Sequence, residues 1–391
     1  MKKLISILGS TGSVGLSTLE IISKKKNFFK PFLFSANKNY KLICNQINKF
    51  KPTYFVINDK KTFNQVSNKF KNKKVKILND YDNINSNISS CITISAIPGL
   101  AGLEPILKSM KFSKKILLAN KEAIICGWDL IKKKASQNKT KIVPVDSEHY
   151  SILKLIENQK IDSIKKIYIT ASGGPFLNFK PHQLKKVKLN QALRHPKWKM
   201  GKKITIDSSN LMNKIFEIVE AQKIFNIPFH KIDIIIHPNS LVHAILDLKN
   251  GIKKFIYHET SMKIPLANAI FDGELNINNF FKEKKTFGFE NLIFEKVNKK
   301  IFPNIMLKNK INQFPASAII INASNEVLVE HFLEKKIAFL DINKIIMTIL
   351  KDGNFKKYAV KKPNSIKQIY QINNWAKSVT IKKIKNLCTN F

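Results

Sequence analysis

Residues 4–15 are Leu4-Ile5-Ser6-Ile7-Leu8-Gly9-Ser10-Thr11-Gly12-Ser13-Val14-Gly15, and they give the strongest indication of the fold class. An apolar run meets three glycines spaced three residues apart, directly before a segment with helical spacing. Glycines in that pattern allow a tight turn and the close approach of a pyrophosphate, and a helix that begins there offers backbone amides to an anion. The stretch therefore predicts a strand, a turn and a helix of the dinucleotide-binding type.

The pattern beyond this motif predicts the fold class. Up to about residue 145, β-type runs such as Tyr54–Ile57 alternate with amphipathic segments such as Lys41–Phe50, which is typical of a parallel sheet with helices on both faces. Farther on, Asn250-Gly251 between two apolar runs predicts an antiparallel hairpin. We expect an α/β protein with an N-terminal Rossmann-type parallel sheet, a central α+β catalytic and dimerisation domain, and a C-terminal helical bundle. The expected bounds are 1–149, 150–280 and 306–391, with a linker at 281–305.

The charge of the chain is strongly unbalanced, with 68 basic and 27 acidic residues and a formal net charge of +41. Arg194 is the only arginine, and the lysines are spread along the whole sequence. A selected phosphate-binding surface normally combines arginine forks with lysines. The excess therefore indicates drift under AT-rich codon bias, and we expect no nucleic-acid partner.

The sequence also predicts the compartment. No apolar run is long enough to span a bilayer, and the glycine motif begins too close to Met1 to leave room for a signal peptide. Four scattered cysteines without a CxxC pair indicate reduced thiols. We expect a cytoplasmic protein without membrane association.

Two carboxylates stand one residue apart in Val145-Asp146-Ser147-Glu148-His149. On an extended backbone, residues i and i+2 point to the same side, so Asp146 and Glu148 would present their oxygens to one point. A hard divalent cation such as Mg²⁺ or Mn²⁺ suits such a pair. The alternative is a strand end followed by a helix N-terminus, which favours acids. Both interpretations remain open from the sequence.

The end of the second predicted strand bears on the choice of cofactor. An NAD-dependent enzyme places an acid there for the ribose 2′-hydroxyl, but this chain has Asn37, Lys38 and Asn39. Lys38 and Asn39 suit a 2′-phosphate, which favours NADPH.

A third motif lies in residues 207–217, where we predict a helix over Ser209–Phe225. Ser208 would stand at the helix start, which suits an anion. Asn213 and Glu217 would share one helical face, with Lys214 beside them. This face is compatible with phosphate plus metal, or equally with a solvated face and an ordinary N-cap.

Two loops complete the candidate set. Ala171-Ser172-Gly173-Gly174-Pro175 follows a predicted strand, and its serine and glycine amides suit a phosphate. The segment from Arg194 to Gly201 suits a mobile lid that excludes water, or a surface loop with one buried aromatic side chain.

Together these segments closely resemble the 1-deoxy-D-xylulose 5-phosphate reductoisomerase family over essentially the whole chain. The matching motifs are GSTGSVG at 9–15, ANKE at 119–122, PVDSEH at 144–149, ASGGPF at 171–176, RHPKWKMG at 194–201, MNK..E at 212–217, HPNSLVH at 237–243 and NASNE at 322–326. The resemblance implies a homodimer and an NADPH-binding domain over 1–149. It also implies an isomerisation by retro-aldol and aldol steps, followed by hydride transfer from NADPH.

The resemblance further implies a role for each matching residue. The expected metal ligands for Mn²⁺, Mg²⁺ or Co²⁺ are Asp146, Glu148 and Glu217. The expected catalytic residues are Glu148, Lys121 and His195. The expected substrate contacts are Lys121, Ser147, Glu148, Ser172, His195, Trp198, Ser208, Asn213, Lys214 and Glu217. The expected NADPH contacts are Thr11, Gly12, Ser13, Val14, Asn37, Lys38, Asn39, Asn120, Glu122 and Gly201.

The chain departs from the family pattern at two places. Ile215-Phe216 replaces a usual Gly–Leu pair, and Ala123 replaces a common serine, so we expect altered packing more than altered ligation. Two other classes compete with this interpretation. Another NADP-linked oxidoreductase, such as a semialdehyde or homoserine dehydrogenase, would not need the Asp146–Glu148 pair or activity that depends on a metal. A basic nucleic-acid-binding protein would be indifferent to NADPH.

Overall fold

The computed structural model describes residues 2–85, 90–198, 200–280 and 292–388. Within these ranges the chain forms two compact units. The first unit takes the described parts of Met1–Ala123, Trp128–Tyr150 and Ser261–Phe287, and the second takes those of Ile124–Gly127, Ser151–Thr260 and Gly288–Phe391. Residues 281–291 of the predicted linker lie outside the described residues.

Eleven strands and fifteen α-helices lie in the described part of the chain. The strands are β1 Lys3–Leu8, β2 Phe29–Ala36, β3 Tyr54–Ile57, β4 Lys76–Leu78, β5 Ser90–Ser95, β6 Ser113–Leu118, β7 Lys141–Pro144, β8 Ile164–Ala171, β9 Ile232–Ile236, β10 Val242–Leu248 and β11 Lys253–Tyr257. The helices are α1 Ser13–Ser23, α2 Tyr40–Phe50, α3 Lys60–Lys69, α4 Leu103–Ser109, α5 Lys121–Gln137, α6 Ser147–Ile156, α7 Leu189–Ala192, α8 Lys202–Ser209, α9 Met212–Phe225, α10 Lys263–Phe271, α11 Lys308–Ile311, α12 Ser317–Leu333, α13 Asp341–Ile349, α14 Phe355–Ala359 and α15 Ile366–Cys388.

The first unit is built on a parallel seven-stranded sheet in the order β4-β3-β2-β1-β5-β6-β7. Strand β1 pairs with β2 on one side and with β5 on the other, so the direction of chain progression reverses at β1. Such a reversal is a topological switch point, where open α/β sheets bind ligands beyond the carboxyl ends of their strands. The glycine-rich turn follows β1 directly and therefore lies at the switch point. The predicted Rossmann-type sheet is confirmed.

Burial explains why these strands are almost continuously apolar. Ile5, Ile7 and Leu8 of β1 are fully buried, as expected for a parallel sheet that is covered on both faces. Strand β4 was not predicted, because Lys76-Ile77-Leu78 is short, begins with a lysine and lies at the sheet edge.

The second unit contains a four-stranded sheet in the order β11-β10-β8-β9. Strands β8 and β9 are parallel, whereas β10 is antiparallel to both β8 and β11. The predicted hairpin is confirmed, and Gly251 in its turn adopts a φ of 87°. The sheet is therefore mixed, as expected for an α+β domain.

One predicted helix is wrong in its extent. The predicted helix over Ser209–Phe225 begins three residues later than expected. Ser209 is instead the last residue of α8, and α9 begins at Met212. Between them Leu211 adopts a left-handed conformation with φ of 62°, which cannot continue a right-handed helix. This break changes the position of Ser208, as described below.

The C-terminal region is helical, as predicted. Helices α12 and α13 cover the predicted helical segments Ala316–Phe332 and Ile342–Leu350 to within a few residues. Most of α12 is buried, including the polar residues Asn322 and Asn325. Among the described residues, no helix combines the length and the apolar character needed to cross a membrane.

Candidate active site

The glycine-rich turn has the geometry that the sequence predicted. Gly9 adopts a φ of 85°, and a Cβ atom there would lie 2.8 Å from the backbone of Ala96. The Gly9 amide donates to the carbonyl oxygen of Ser35 at 3.1 Å. Gly12 is the exposed N-cap of α1, so the turn presents the helix N-terminus beyond the end of β1. This arrangement is suited to a pyrophosphate.

The residues after β2 are exposed and partly structured by helix capping. Asn37, Lys38 and Asn39 follow directly after Ala36, the last residue of β2. The Asn39 side chain accepts a hydrogen bond from the Leu42 amide at 3.1 Å and so caps α2. The structure therefore places an exposed lysine and a capping asparagine next to the second strand, with no acid among them.

Asn120 holds the entry to α5. It is buried, its side-chain oxygen accepts from the Ala123 amide at 2.8 Å, and its amide nitrogen donates to the carbonyl oxygens of Ile97 and Gly99. These bonds engage the Asn120 side chain within the protein and fix the helix start that carries Lys121. Glu122 in the same turn is half-buried.

The Asp146–Glu148 pair is not on an extended backbone, so that part of the prediction is wrong. Strand β7 ends at Pro144 and helix α6 begins at Ser147. The Asp146 carboxylate accepts from the Glu148 amide at 3.3 Å, and its carbonyl oxygen accepts from the Tyr150 amide. Asp146 therefore caps α6, and both carboxylates lie at the positive end of the helix dipole.

Ser147, Lys121 and His149 lie beside these carboxylates. The Ser147 hydroxyl donates to Glu148. The Lys121 ammonium is 3.8 Å from the Asp146 carboxylate, and Nδ1 of the fully buried His149 is 3.3 Å from it. Asp146 and Glu148 are only partly buried. The pair is thus an oxygen-rich site with Lys121 beside it, held by elements of the first unit.

In the second unit, α9 carries a buried polar cluster. Glu217 is 1% exposed, and its carboxylate accepts from the Lys214 ammonium at 2.8 Å and from the Asn213 amide. The predicted helical spacing of these three residues is confirmed. Ile215 and Phe216, the two departures from the family pattern, are fully buried. Because a buried ion pair is costly to desolvate, the Lys214–Glu217 pair adds little net stability even though breaking it would be costly.

The loop Ala171-Ser172-Gly173-Gly174-Pro175 is called the serine loop, and residues 194–201 are called the lid segment. His195 of the lid segment contacts Ser172 of the serine loop. Nδ1 of His195 accepts from the Trp198 amide at 2.9 Å and from the Lys197 amide at 3.2 Å. The proton of the neutral ring is therefore on Nε2, which lies 3.0 Å from the Ser172 hydroxyl oxygen. Burial and the nearby Lys214 charge lower the pKa of His195 to about 4.

This arrangement sets the direction of the Ser172 hydroxyl. Its oxygen accepts from Nε2 of His195 and from the Gly174 amide at 3.0 Å. With both acceptor positions filled, its own proton can be donated to a ligand. Ser172 is therefore oriented as a donor, which suits a phosphate oxygen.

Ser208 is half-buried, but it does not start a helix. It lies in the last turn of α8, because the left-handed Leu211 delays the next helix to Met212. The expected anion site at a helix N-terminus is therefore wrong for this residue. Any contact of Ser208 with an anion would use its side chain.

Two further histidines support the lid segment and were given no individual role from the sequence. The Trp198 ring meets the His243 ring edge to face at 6.1 Å, and His243 stacks on His258 at 3.8 Å. His243 is the last residue of the HPNSLVH motif, and that motif was the sequence feature from which its role could have been found. No sequence feature indicated a role for His258, since its stacking partner is 15 residues away. Gly201, at the end of the lid segment, is the exposed N-cap of α8.

A parallel sheet with a glycine-rich turn at its switch point, together with the carboxylate pair and the serine loop, defines the class of dinucleotide-dependent oxidoreductases. Family models described as 1-deoxy-D-xylulose 5-phosphate reductoisomerase match residues 5–127, and models of its C-terminal domains match residues 142–225 and 258–379. The chain belongs to the 1-deoxy-D-xylulose 5-phosphate reductoisomerase family.

Individual relatives support this assignment. The chain is 43% identical to the 1-deoxy-D-xylulose 5-phosphate reductoisomerase of Pelagibacter ubique over 96% of this chain and 97% of that protein. It is 37% identical to the Clostridium tetani enzyme over 94% and 96% of the two chains. The solved Zymomonas mobilis reductoisomerase in complex with NADPH matches with a TM-score of 0.86 at 28% identity, over 98% of this chain and 99% of that one. A reductoisomerase in complex with NADPH, fosmidomycin and magnesium matches with a TM-score of 0.88 over the same shares, also at 28% identity.

Proposed function

We propose which of the described residues bind the metal, the substrate and the cofactor in the reductoisomerase reaction, and which transfer its proton. As a member of this family, the chain is an NADPH- and divalent-metal-dependent enzyme that isomerises and reduces 1-deoxy-D-xylulose 5-phosphate to 2-C-methyl-D-erythritol 4-phosphate. This reaction is a step of non-mevalonate isoprenoid precursor biosynthesis. The observation that carries the proposal is the pair of partly buried carboxylates at the start of α6, with Lys121 beside it.

The proposed metal ligands are Asp146, Glu148 and Glu217. Carboxylate oxygens are the donors that hard divalent cations prefer, so the residues present fit the ion. Mg²⁺, Mn²⁺ and Co²⁺ all accept such donors, and the choice among them is left to experiment. A metal held by these residues would supply Lewis-acid polarisation of substrate oxygens.

Two residues beside the metal ligands have proposed chemical roles. Lys121, whose ammonium is 3.8 Å from Asp146, stabilises negative charge that develops on a substrate oxygen. Glu148 takes the proton of the reacting substrate hydroxyl as the carbon–carbon bond breaks and returns it to that oxygen after the new bond has formed. The Ser147 hydroxyl, which donates to Glu148, fixes the orientation of its carboxylate. Ser147 also contacts the substrate in this proposal.

The proposed phosphate site lies in the second unit and consists of Ser172, Ser208, Asn213 and Lys214. The Ser172 hydroxyl is oriented as a donor by the neutral His195, and the Lys214 ammonium supplies positive charge. Binding through the phosphate, which does not react, holds the reacting carbons in place. His195 and Trp198 lie on the segment that we propose to close over the substrate and exclude water.

The proposed NADPH site begins at the glycine-rich turn. Thr11, Gly12, Ser13 and Val14 would meet the pyrophosphate at the N-terminus of α1. Lys38 and Asn39, with Asn37 beside them, would meet the 2′-phosphate. Further contacts are assigned to Asn120, Glu122 and Gly201. When bound, NADPH supplies the hydride that reduces the rearranged aldehyde.

We also propose a cytoplasmic homodimer. Strand β11 is an edge of its sheet in the described structure, and Ile252 and Phe255 beside and within it are 53% and 46% exposed. Exposed apolar side chains on an unpaired edge favour pairing with a second copy. Buried free thiols at Cys44 and Cys126 suit a reducing compartment. The domain roles, with cofactor binding in 1–149, catalysis and dimerisation in 150–280, a linker at 281–305 and a helical domain at 306–391, are part of this proposal.

One assay tests the proposed activity. Purified protein is mixed with 1-deoxy-D-xylulose 5-phosphate and NADPH, and loss of absorbance by NADPH is followed with Mg²⁺, with Mn²⁺ and with EDTA. We expect oxidation that requires both the substrate and the metal. Oxidation that continues unchanged in EDTA would contradict the metal assignment, and equal use of NADH would contradict the roles of Lys38 and Asn39.

A further inference from the structure

A buried hydrogen bond links the C-terminal helix α12 to helix α8. The side-chain amide of Asn325 donates to the Asp207 carboxylate at 2.7 Å, and both residues are at most 1% exposed. The second oxygen of Asp207 is 2.9 Å from the Lys203 ammonium, one turn earlier in α8. Asn325 and Asp207 are 118 residues apart in sequence.

Asp207 is an unusual residue at this position. It lies in the last turn of α8, where the helix dipole is negative and an acidic side chain is unfavourable. Burial adds a desolvation cost that must be met by hydrogen bonds. The amide from α12 and the ammonium of Lys203 meet this requirement. The position of this turn therefore depends on the partners of Asp207.

Ser208 follows Asp207 directly and shares this turn with it. On the neighbouring serine loop, Gly174 has a φ of 62°, and a Cβ atom there would lie 3.2 Å from the Ser208 carbonyl oxygen and 3.1 Å from Cα of Ser209. The loop that carries Ser172 thus approaches the same turn closely. A shift of the turn would change the separation of Ser208 from Ser172.

We propose that Asn325 is a positioning residue for the substrate phosphate, and this inference rests on the proposed role of Ser208 as a phosphate ligand. Acting through Asp207, Asn325 fixes the last turn of α8 and so the Ser208 hydroxyl. The NASNE motif on α12 would thereby contribute to phosphate binding without touching the substrate.

The test compares Asn325→Ala with Asn322→Ala. Asn322 is a matched control because it lies on α12, is 2% exposed, and directs its amide toward Cys126 Sγ at 3.9 Å. We expect Asn325→Ala to raise the KM for 1-deoxy-D-xylulose 5-phosphate by about fivefold to tenfold, since one hydrogen bond that positions a ligand is lost. The kcat and the KM for NADPH should change by less than about twofold, and Asn322→Ala should leave all three near wild type. An unchanged substrate KM in a folded Asn325→Ala protein would overturn the proposal.

A second pair of variants covers the case in which Asn325→Ala does not fold. Asp207→Asn keeps an oxygen that accepts from Asn325, whereas Asp207→Ala removes it. The proposal expects a smaller rise in substrate KM for Asp207→Asn than for Asp207→Ala. Equal values would overturn it.

Ser208→Ala separates this inference from the proposed function. If Ser208→Ala raises the substrate KM but Asn325→Ala does not, the positioning role fails and the phosphate site stands. If Ser208→Ala leaves KM unchanged, the assignment of Ser208 fails, and with it the route through this residue. In the Asn325→Ala/Ser208→Ala protein, we expect an increase smaller than the product of the single increases. A fully multiplicative increase would overturn the proposed route.

Discussion

The Lys214 ammonium lies 2.8 Å from the Glu217 carboxylate, and both side chains are buried on α9. In the proposed phosphate site, Lys214 would serve two groups, the Glu217 carboxylate and a substrate phosphate. We expect Lys214→Ala to raise the KM for the phosphorylated substrate by about tenfold or more, because a charge-assisted contact is lost. Steady-state kinetics with varied substrate at saturating NADPH would measure the change.

The same substitution should lower stability. It leaves the Glu217 carboxylate buried without its cation, which costs on the order of 3 kcal/mol in the free energy of unfolding. Lys202→Ala is the control, since Lys202 is exposed at the start of α8.

An unchanged substrate KM in the Lys214→Ala protein would remove Lys214 from the phosphate site.

The preference for NADPH can be tested at a helix cap. Asn39 caps α2 through its side-chain oxygen, and aspartate caps helices equally well. Asn39→Asp should therefore fold normally but repel a 2′-phosphate. We expect the KM for NADPH to rise by about tenfold while the KM for NADH stays within about twofold.

A cofactor titration of Asn39→Asp beside Lys41→Ala completes this test. Lys41 is exposed in the first turn of α2 and has no proposed role at the cofactor. A similar rise of both cofactor KM values in the Asn39→Asp protein would point to damage to the helix rather than to phosphate recognition.

The pKa of His195 predicts a pH dependence of stability. Burial, with a contribution from Lys214, lowers this pKa from 6.5 to about 4. As the pH falls below about 6.5, the unfolded chain takes up a proton that the folded chain refuses. The stability that the neutral ring contributes is thus complete above this pH and is lost as the pH falls toward about 4.

Urea unfolding at about pH 7.5 and about pH 5 would measure this effect, with His195→Asn as the variant that does not titrate. We expect the free energy of unfolding to fall more in wild type than in the variant over this interval. Equal losses would show that the pKa of His195 is not lowered in the folded protein.

The proposed dimer predicts the effect of a charge on β11. Phe255 is 46% exposed on an edge strand, so Phe255→Asp should cost the isolated chain little but disfavour pairing with a second copy. Sedimentation should show a shift toward monomer. Ile381→Asp is the control, because Ile381 is similarly exposed, at 40%, but lies on α15. A wild-type protein that sediments as a monomer would contradict the proposal.

The sequence predicted best what short-range chemistry determines. The strand, turn and helix around Gly9 follow from local glycine spacing and apolar pattern, and the hairpin at Asn250-Gly251 follows from its turn residues. The helical spacing of Lys214 and Glu217 was likewise predictable, because neighbours on a helix face are set by its period.

Two predictions at the site were wrong, the extended backbone at Asp146 and the helix start at Ser208, because another local backbone conformation was adopted at each place. The sequence favoured an extended backbone through Asp146, but that residue caps α6, which begins after only two intervening residues beyond β7. The sequence also favoured a helix start near Ser208, where Asp and Ser are common caps. A left-handed Leu211, which no propensity indicates for a leucine, moved the helix start to Met212.

Long-range partners were beyond a single sequence. Nothing near Asp207 indicates that its partner is Asn325, since the two are joined only by packing of α8 and α12. The stacking of His243 on His258 is hidden for the same reason. Such contacts depend on tertiary packing, which local sequence patterns do not reveal.

The proposed role of Glu217 as a third metal ligand with Asp146 and Glu148 can be tested by Mn²⁺ binding, measured by electron paramagnetic resonance. Glu217→Gln keeps the size of the side chain and an oxygen for Lys214. Glu220→Gln is the matched control, because Glu220 is 2% exposed on the same helix. We expect one Mn²⁺ per wild-type chain, unchanged binding by Glu220→Gln, and binding by Glu217→Gln that is weaker by about a hundredfold, or about 2.7 kcal/mol. Wild-type Mn²⁺ affinity in the Glu217→Gln protein would contradict it.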